Sequence, residues 1–157
     1  MLPKKIQLHI KKILEKHPQY AEFLAPGPNK SIHPIYLAEE AKFVATAGLY
    51  RINLEQKIAL IRILFFEETK PELRKTVIQR GLALTLDDAF NRKELGVVWT
   101  KIPSVLKDVV LVHRLFGFHS APSYKYRLTE DDSELTALEA TSMRFRNATR
   151  RQELQPD

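Results

Sequence analysis

The most constraining feature of this sequence is a nearly continuous apolar run from Ile58 to Phe66, interrupted by a single arginine. A segment that is apolar on almost every side has to be buried on every side, so it must lie at the centre of the fold. The run is preceded by Asn53 and Gln56, which form a variant of the capping box that begins helices. We therefore predict a central, buried helix over residues 54–68.

In the rest of the chain, proline and glycine stand at positions that are typical of helix ends and of the loops between helices. Proline suits the first turn of a helix and glycine its C-terminal cap, and the glycines of this chain stand at segment ends or in loops. We predict further helices over residues 3–17, 34–47, 71–80, 85–96, 104–116 and 129–153. Residues 97–99 are either extended or lead into the next helix.

These segments together predict an all-α protein. Its architecture would be a compact orthogonal or irregular bundle of about six helices around the central helix 54–68. The length of 157 residues suits one domain, and no repeat or linker divides the chain. We therefore predict a single helical domain over residues 1–157, in which residues 129–153 form a long C-terminal helix.

The composition indicates the cellular environment in which the protein occurs. The chain contains no cysteine, which excludes a disulfide framework and any thiolate-bound zinc or iron–sulfur site. Charged residues break every apolar stretch near the N-terminus, so the sequence offers no signal-peptide core, and no apolar run is long enough to span a bilayer. We expect a cytoplasmic protein without membrane insertion.

The sequence contains no motif that names a reaction. Its five histidines do not occur at metal-binding spacings, and no glycine-rich phosphate loop is present. His113, in the apolar segment 104–116, is interpreted as a hydrogen-bonded histidine at the edge of the core. The sequence therefore predicts no catalytic residue, no metal and no cofactor. An enzyme whose site is assembled only in three dimensions is the minority hypothesis.

The net charge of +6 favours a polyanionic partner. Four arginines lie near the end of the last predicted helix: Arg144, Arg146, Arg150 and Arg151. The planar guanidinium group of arginine can donate two hydrogen bonds to the oxygens of one phosphate. Acidic residues begin the same helix, so these arginines could equally complement its dipole. We hold the two interpretations open and name the arginines as candidate nucleic-acid contacts.

A second basic segment combines rings with cations. Tyr124, Lys125, Tyr126 and Arg127 alternate in the order that suits stacking on bases and neutralising phosphates. The alternative is an arm whose tyrosines pack on the body of the protein and whose basic side chains lie in water. Residues 85–105 also superficially resemble a helix-turn-helix, but Pro103 would interrupt its recognition helix.

We therefore predict a non-enzymatic regulatory or accessory protein that binds DNA or RNA. Residues 144–151 and 124–127 would form the contact surface, with 92–107 as a third region, and contacts to the phosphate backbone would dominate. The alternative is a protein–protein interaction module, such as an adaptor, a chaperone or a helical homodimer, with no role at nucleic acid. Its docking stripe would be Leu135, Leu138, Met143 and Phe145.

Overall fold

The computed structural model describes residues 4–25, 27–37, 42–65, 71–121 and 135–154. The fold is α/β, because six strands form one mixed sheet that carries helices on both faces. The predicted all-α bundle is therefore wrong. The helices are α1 (Lys4–Lys16), α2 (Ala21–Leu24), α3 (Pro71–Asp87), α4 (Lys107–Leu115) and α5 (Ser142–Leu154), and the strands are β1 (Ser31–Leu37), β2 (Lys42–Asn53), β3 (Ile58–Phe65), β4 (Val97–Pro103), β5 (His119–Ser120) and β6 (Leu135–Thr141).

The strand order across the sheet is β1-β2-β3-β4-β6-β5. Strands β1, β2 and β3 form an antiparallel meander, and β6 pairs antiparallel with both β4 and β5. Strand β4 lies parallel to β3, so the chain must cross over between them, and α3 makes that connection. The centre of the sheet is thus the one place where two neighbouring strands run in the same direction.

Two apolar layers hold the helices on the sheet. On one side, which we call the α3 face, Ile61 and Val98 pack with Leu82 and Leu86 of α3 and with Val112 of α4. The opposite side, which we call the α1 face, is covered by α1 and α2. There Leu64 packs against Ile10 and Leu24, and Phe23 packs near Tyr50 and Trp99.

The predicted central helix 54–68 is strand β3. A central strand covered on both faces is apolar on both faces, so its sequence has no alternation that would distinguish it from a buried helix. The predicted burial is confirmed for Ile61, which is fully buried, but residues 62–65, Leu64 among them, are only half-buried. The apparent capping box is a turn: the Asn53 carboxamide oxygen accepts a hydrogen bond from the Gln56 amide at 2.9 Å, in the tight connection between β2 and β3.

Of the other predicted helices, some are helices in the structure and others are strands. Helices α1 and α4 lie within the predicted segments 3–17 and 104–116. Helix α3 begins at the predicted residue but continues beyond 80 to Asp87, and 34–47 falls on β1 and β2. The predicted C-terminal helix 129–153 is strand β6 followed by α5, and its first residues lie outside the described part of the chain. The predicted cap of helix 85–96 lies inside α3, where the Thr85 hydroxyl donates to the Gly81 carbonyl oxygen at 2.6 Å.

Gly81 was predicted to end a helix, but α3 continues through it. A β-carbon at this position would lie 2.9 Å from Ile35 Cδ1 and 3.0 Å from Ala47 Cβ. Glycine therefore lets the helix backbone approach β1 and β2 closely. The sequence alone does not distinguish a glycine with this packing function from a glycine that ends a helix.

A polar cluster, defined here as the Asp88 cluster, ties β1 to the short π-helix Asp88–Arg92 that follows α3. Asp88 is 4% exposed, and its Oδ2 atom accepts a hydrogen bond from the Ser31 hydroxyl at 2.7 Å. His33 Nε2 lies 3.1 Å from the same oxygen, and Lys93 Nζ donates to Oδ1 at 3.1 Å. Burial opposes ionisation of the carboxyl, but the hydrogen bonds from these three side chains outweigh it and lower the pKa of Asp88.

None of the helices in the described residues is long and apolar enough to cross a membrane. The prediction of one domain over residues 1–157 stays a prediction.

Candidate ligand-binding cleft

Strands β3 and β4 separate after a short parallel pairing. Only three residue pairs join them, ending at Leu60 and Trp99. Beyond this point β3 remains paired with β2 as far as Phe65, and β4 remains paired with β6 as far as Pro103. Each strand is therefore held on its outer side, while its inner edge faces a gap in the middle of the sheet.

The gap, which we call the β3–β4 cleft, is a cavity of about 480 Å³. Strands of a continuous sheet lie about 4.8 Å apart and leave no such space. Helices α3 and α4 cover the cleft from the α3 face. The described residues that line it are Arg62, Ile63, Leu64 and Phe65 of β3, Thr100, Lys101, Ile102 and Pro103 of β4, Arg74 and Ile78 of α3, and Leu106, Val109 and His113 at α4.

The inner edges of the two strands present backbone groups to the cleft. A parallel neighbour would pair with the N–H and C=O groups that point across the gap, but the ladder between β3 and β4 stops at Leu60 and Trp99. Such open edges bind an extended molecule that carries amide groups of its own, because that molecule can take the place of a strand. Among the described residues, no strand pairs with these two inner edges beyond Leu60 and Trp99.

His113 is the titratable side chain that α4 contributes to the lining of the cleft. It is 5% exposed, and its Nδ1 atom lies 2.8 Å from the Val109 carbonyl oxygen one turn earlier. Because a carbonyl oxygen can only accept, Nδ1 carries the proton and Nε2 has the lone pair. The Phe118 ring meets the imidazole edge-on, with 5.1 Å between ring centroids.

Burial lowers the pKa of His113 to about 4, and the hydrogen bond to Val109 opposes the shift only in part. The imidazole is therefore neutral at physiological pH. Its Nδ1–H is committed to the helix backbone, which leaves Nε2 as the atom able to accept a proton or a hydrogen bond. The predicted hydrogen-bonded histidine at the edge of the core is confirmed, and the structure adds that it borders a cavity.

Of the basic residues that the sequence singled out, those that the structure describes do not line the cleft. Arg144, Arg146 and Arg150 are exposed on α5. Arg151 lies on the same helix, but its side chain is not among those described. The segment 124–127, with Tyr124, Lys125, Tyr126 and Arg127, lies outside the described residues.

The basic residues of the cleft itself were missed. Arg62 looked like an interruption of a buried helix, and Arg74 and Lys101 belong to no motif. A charged residue within an otherwise apolar central segment was the one available signal, since such a residue requires a polar environment inside the fold.

Comparison with known proteins gives a fold. The chain matches no protein-family model and no curated protein sequence. Among solved structures it is similar to a variant of spermidine N-acetyltransferase from Vibrio cholerae, with a TM-score of 0.60 at 13% sequence identity over 88% of this chain and 79% of that chain. The dodecameric form of the same enzyme in an intermediate state gives a TM-score of 0.60 at 14% identity, over 88% of this chain and 76% of that chain.

The protein thus has an α/β fold similar to that of these spermidine N-acetyltransferase structures. This finding corrects the predicted function as well as the predicted architecture. A non-enzymatic nucleic-acid-binding protein and a helical interaction module were both inferred from an all-α bundle with basic faces, and the structure found instead is an α/β fold similar to that of an N-acetyltransferase.

Proposed function

We propose that the protein is an acyltransferase that moves an acetyl group from a thioester to a primary amine. One observation carries the proposal: within a fold shared with N-acetyltransferases, the two parallel strands part around a cavity with open backbone edges. The thioester donor would lie in this cleft, with its reactive carbon between the strands. The geometry of the strands supports this placement independently of the comparison.

Acetyl-coenzyme A is the general biological donor of acetyl groups from a thioester. Two of its parts, the amide-containing arm and the phosphates, can be matched to residues of the cleft. The arm of coenzyme A contains amide groups, which suit the open edges of β3 and β4. Arg74, in the first turn of α3, lines the cleft and could bind donor phosphates. The residues between β3 and α3, at positions 66–70, include no glycine and lie outside the described part of the chain.

His113 is proposed to accept the proton of the attacking amine. The neutral amine attacks the thioester carbon, a C–N bond forms and the C–S bond breaks. The nitrogen gains positive charge as it bonds to carbon, so even a weak base such as His113 Nε2 can take its proton. The same proton then passes to the departing thiolate, which returns His113 to its neutral form and balances the reaction.

A cytoplasmic location belongs to the same proposal, because acyl thioesters of coenzyme A are made and used inside cells.

The proposal is tested by incubating the protein with acetyl-coenzyme A and a panel of primary amines, and by measuring both thiol release and acetylated product. We expect product that depends on the protein and on the amine. The matched variant is Val109→Trp, which fills part of the cleft from α4 and should abolish donor binding in calorimetry while the protein stays folded. Donor binding that is unaffected by the filled cleft would place the donor elsewhere.

A further inference from the structure

A second pair of titratable side chains lies where β5 and β6 meet. His119 of β5 stands opposite Glu139 of β6 in the antiparallel register. A carboxylate only accepts hydrogen bonds, so His119 Nε2 donates to Glu139 Oε1, at 3.0 Å. Leu138 and Ala140, the neighbours of Glu139, pack on the α3 face. Glu139 and His119 therefore lie on the α1 face, because successive side chains of a strand alternate between the two faces.

This hydrogen bond is the polar contact that the structure shows for the His119 ring. The other ring nitrogen, Nδ1, is buried and has no hydrogen-bond partner within the described residues. Both side chains of the pair are partly buried. An imidazole that lost Glu139 would have neither nitrogen bonded, and it would have to turn toward water to recover a partner. The position of His119 therefore depends on Glu139.

In the described part of the chain, strand β5 has few other contacts that hold it on β6. It consists of His119 and Ser120, and each of them pairs with one residue of β6. The Ala121 amide adds a hydrogen bond to the Ala137 carbonyl oxygen at 3.0 Å. Ser120 Oγ accepts from Arg114 at 3.4 Å, which is long for a hydrogen bond. Because so few bonds attach this strand, the side-chain pair contributes a large share of its attachment.

The residue before His119 contacts the proposed proton acceptor of the cleft. Phe118 is buried on the α3 face. Its ring meets the His113 imidazole edge-on, with 5.1 Å between the ring centroids, and its amide donates to the His113 carbonyl oxygen at 3.3 Å. Because Phe118 and His119 are consecutive in the chain, a movement of β5 on β6 also moves the Phe118 ring against His113.

We infer that Glu139 is a positioning residue for His113. Through its bond to His119 it fixes β5 on β6, and through the adjoining Phe118 it holds the imidazole beside the cleft. The inference rests on the proposed function, in which His113 Nε2 accepts the proton of the amine. A base has to stay within hydrogen-bond reach of that proton. A displacement of about 1 Å can lower a rate by about 10²-fold, so a group on the opposite face of the sheet contributes to the reaction without contacting the substrate.

Substitutions at position 139 separate the hydrogen bond from the charge. Glu139→Gln removes the charge but keeps an acceptor oxygen at the same reach, whereas Glu139→Asp keeps the charge on a side chain that is shorter by one methylene group. We expect Glu139→Gln to retain kcat within about twofold and Glu139→Asp to lose about tenfold or more. KM for acetyl-coenzyme A should stay unchanged in both, because neither Glu139 nor His119 lines the cleft. His119→Leu removes the same bond from the other side and should reproduce the loss seen in Glu139→Asp.

The matched control is Glu22→Asp. It shortens a carboxylate side chain that accepts a hydrogen bond from Arg51 at 2.8 Å, at a position that does not line the cleft. Its kcat should equal that of the wild type. Thermal melting defines a temperature at which every variant is folded, and the rates are compared at that temperature.

The pH profile distinguishes positioning from a loss of stability. Burial lowers the pKa of His113 to about 4, and the Phe118 ring contacts the imidazole. A displaced ring admits water, so the pKa should rise toward its ordinary value of about 6.5. The acid limb of kcat/KM should therefore lie at higher pH in Glu139→Asp than in the wild type or in Glu139→Gln. The other charged residues described in the lining of the cleft are the same in every variant: Arg62, Arg74 and Lys101.

NMR titration of the imidazole separates this inference from the proposed function, because it needs no substrate. The His113 signal is the one that is missing in His113→Phe. If no amine is acetylated but the pKa of His113 rises in Glu139→Asp, the proposed function fails and the link from Glu139 to His113 stands.

Two results would overturn the inference itself. One is a Glu139→Asp protein that has the kcat, the pH profile and the His113 pKa of the wild type. The other is an equal loss of kcat in Glu139→Gln, which would mean that the charge of Glu139 matters rather than its bond to His119.

Discussion

The Asp88 cluster and the β3–β4 cleft both contain buried polar side chains, but they combine charges in opposite ways. In the Asp88 cluster a carboxylate meets Lys93, His33 and the Ser31 hydroxyl, all within 3.1 Å. In the cleft, by contrast, the basic residues Arg62, Arg74 and Lys101 line a cavity between two strands that have separated. A cluster whose groups bond to one another joins elements of the fold, whereas polar groups that line a cavity can also contact a ligand.

The largest effect should follow from removing the proton acceptor of the cleft. His113→Phe keeps an aromatic ring beside Phe118 but removes Nε2. If His113 is a general base, kcat for acetyl transfer should fall by about 10²–10⁴-fold. Initial rates of thiol release at saturating donor measure this effect.

The control for that experiment is His17→Phe, because His17 is exposed at the end of α1 and does not line the cleft. It should leave kcat unchanged. If His113→Phe also retains its activity while remaining folded, His113 has only a packing function, and the cleft would resemble the Asp88 cluster more than we propose.

The sequence predicted burial better than it predicted secondary structure. It identified 58–66 as central, and Ile61 is fully buried, but a strand covered on both faces resembles a buried helix. Asn53 likewise accepts from the amide three residues later in a tight turn as it would at a helix start. A buried helix and a strand covered on both faces share these local signals. Only the pairing of β3 with β2 and β4 decides that this segment is a strand.

The cleft could not be predicted from the sequence, because its residues come from four separate elements. Arg62 and Lys101 are brought level by a parallel register between strands that are far apart in the chain. Arg74 and His113 reach the same cavity from α3 and α4. The arginine cluster near the C-terminus was conspicuous because it is local, whereas a site formed by long-range contacts leaves no local pattern.

The Asp88 cluster should respond to mutation through stability. Asp88→Asn removes the negative charge and leaves Lys93 and His33 without their partner. Breaking a buried ion pair costs about 3–5 kcal/mol, and the partial exposure of Lys93 places the expected loss near the lower limit, at about 3 kcal/mol. Chemical denaturation measures this loss of unfolding free energy.

The double variant Asp88→Asn with Lys93→Met provides the control. It removes both charges and should recover part of the loss, because no unpaired amine is then left at the cluster. A single variant as stable as the wild type would show that the cluster is dispensable, and the contrast between the two regions would lose its basis.

The two regions should also lose stability in different pH windows. The pKa of His113 is about 4 in the folded protein, below its usual 6.5. The unfolded chain therefore binds more protons between these values, and stability falls as the pH drops from 6.5 to 4, by on the order of 3 kcal/mol. The pKa of Asp88 is lowered from 3.8, so its contribution is lost only at lower pH.

Melting temperatures across the acid range separate these contributions. His113→Phe should remove the dependence between pH 6.5 and 4, and Asp88→Asn should reduce only the dependence below about pH 4. The same slope in wild type and in His113→Phe would show that the imidazole is not held neutral in the fold.

The smallest predicted effect contrasts the packing density at α3 and at α4. Gly81 faces β1 and β2, where an added β-carbon would lie 2.9 Å from Ile35 Cδ1 and 3.0 Å from Ala47 Cβ. Alanine favours a helix over glycine by about 1 kcal/mol, but overpacking a close contact costs about 1–3 kcal/mol, so Gly81→Ala should destabilise the protein by about 1 kcal/mol. Val109→Leu, which adds a methylene group beside the cavity, should leave stability within about 0.5 kcal/mol of the wild type. Denaturation midpoints for both variants measure the difference. A stabilised Gly81→Ala protein would mean that β1 and β2 shift to accommodate the added methyl group, and that α3 at Gly81 is no more tightly packed than α4 beside the cleft.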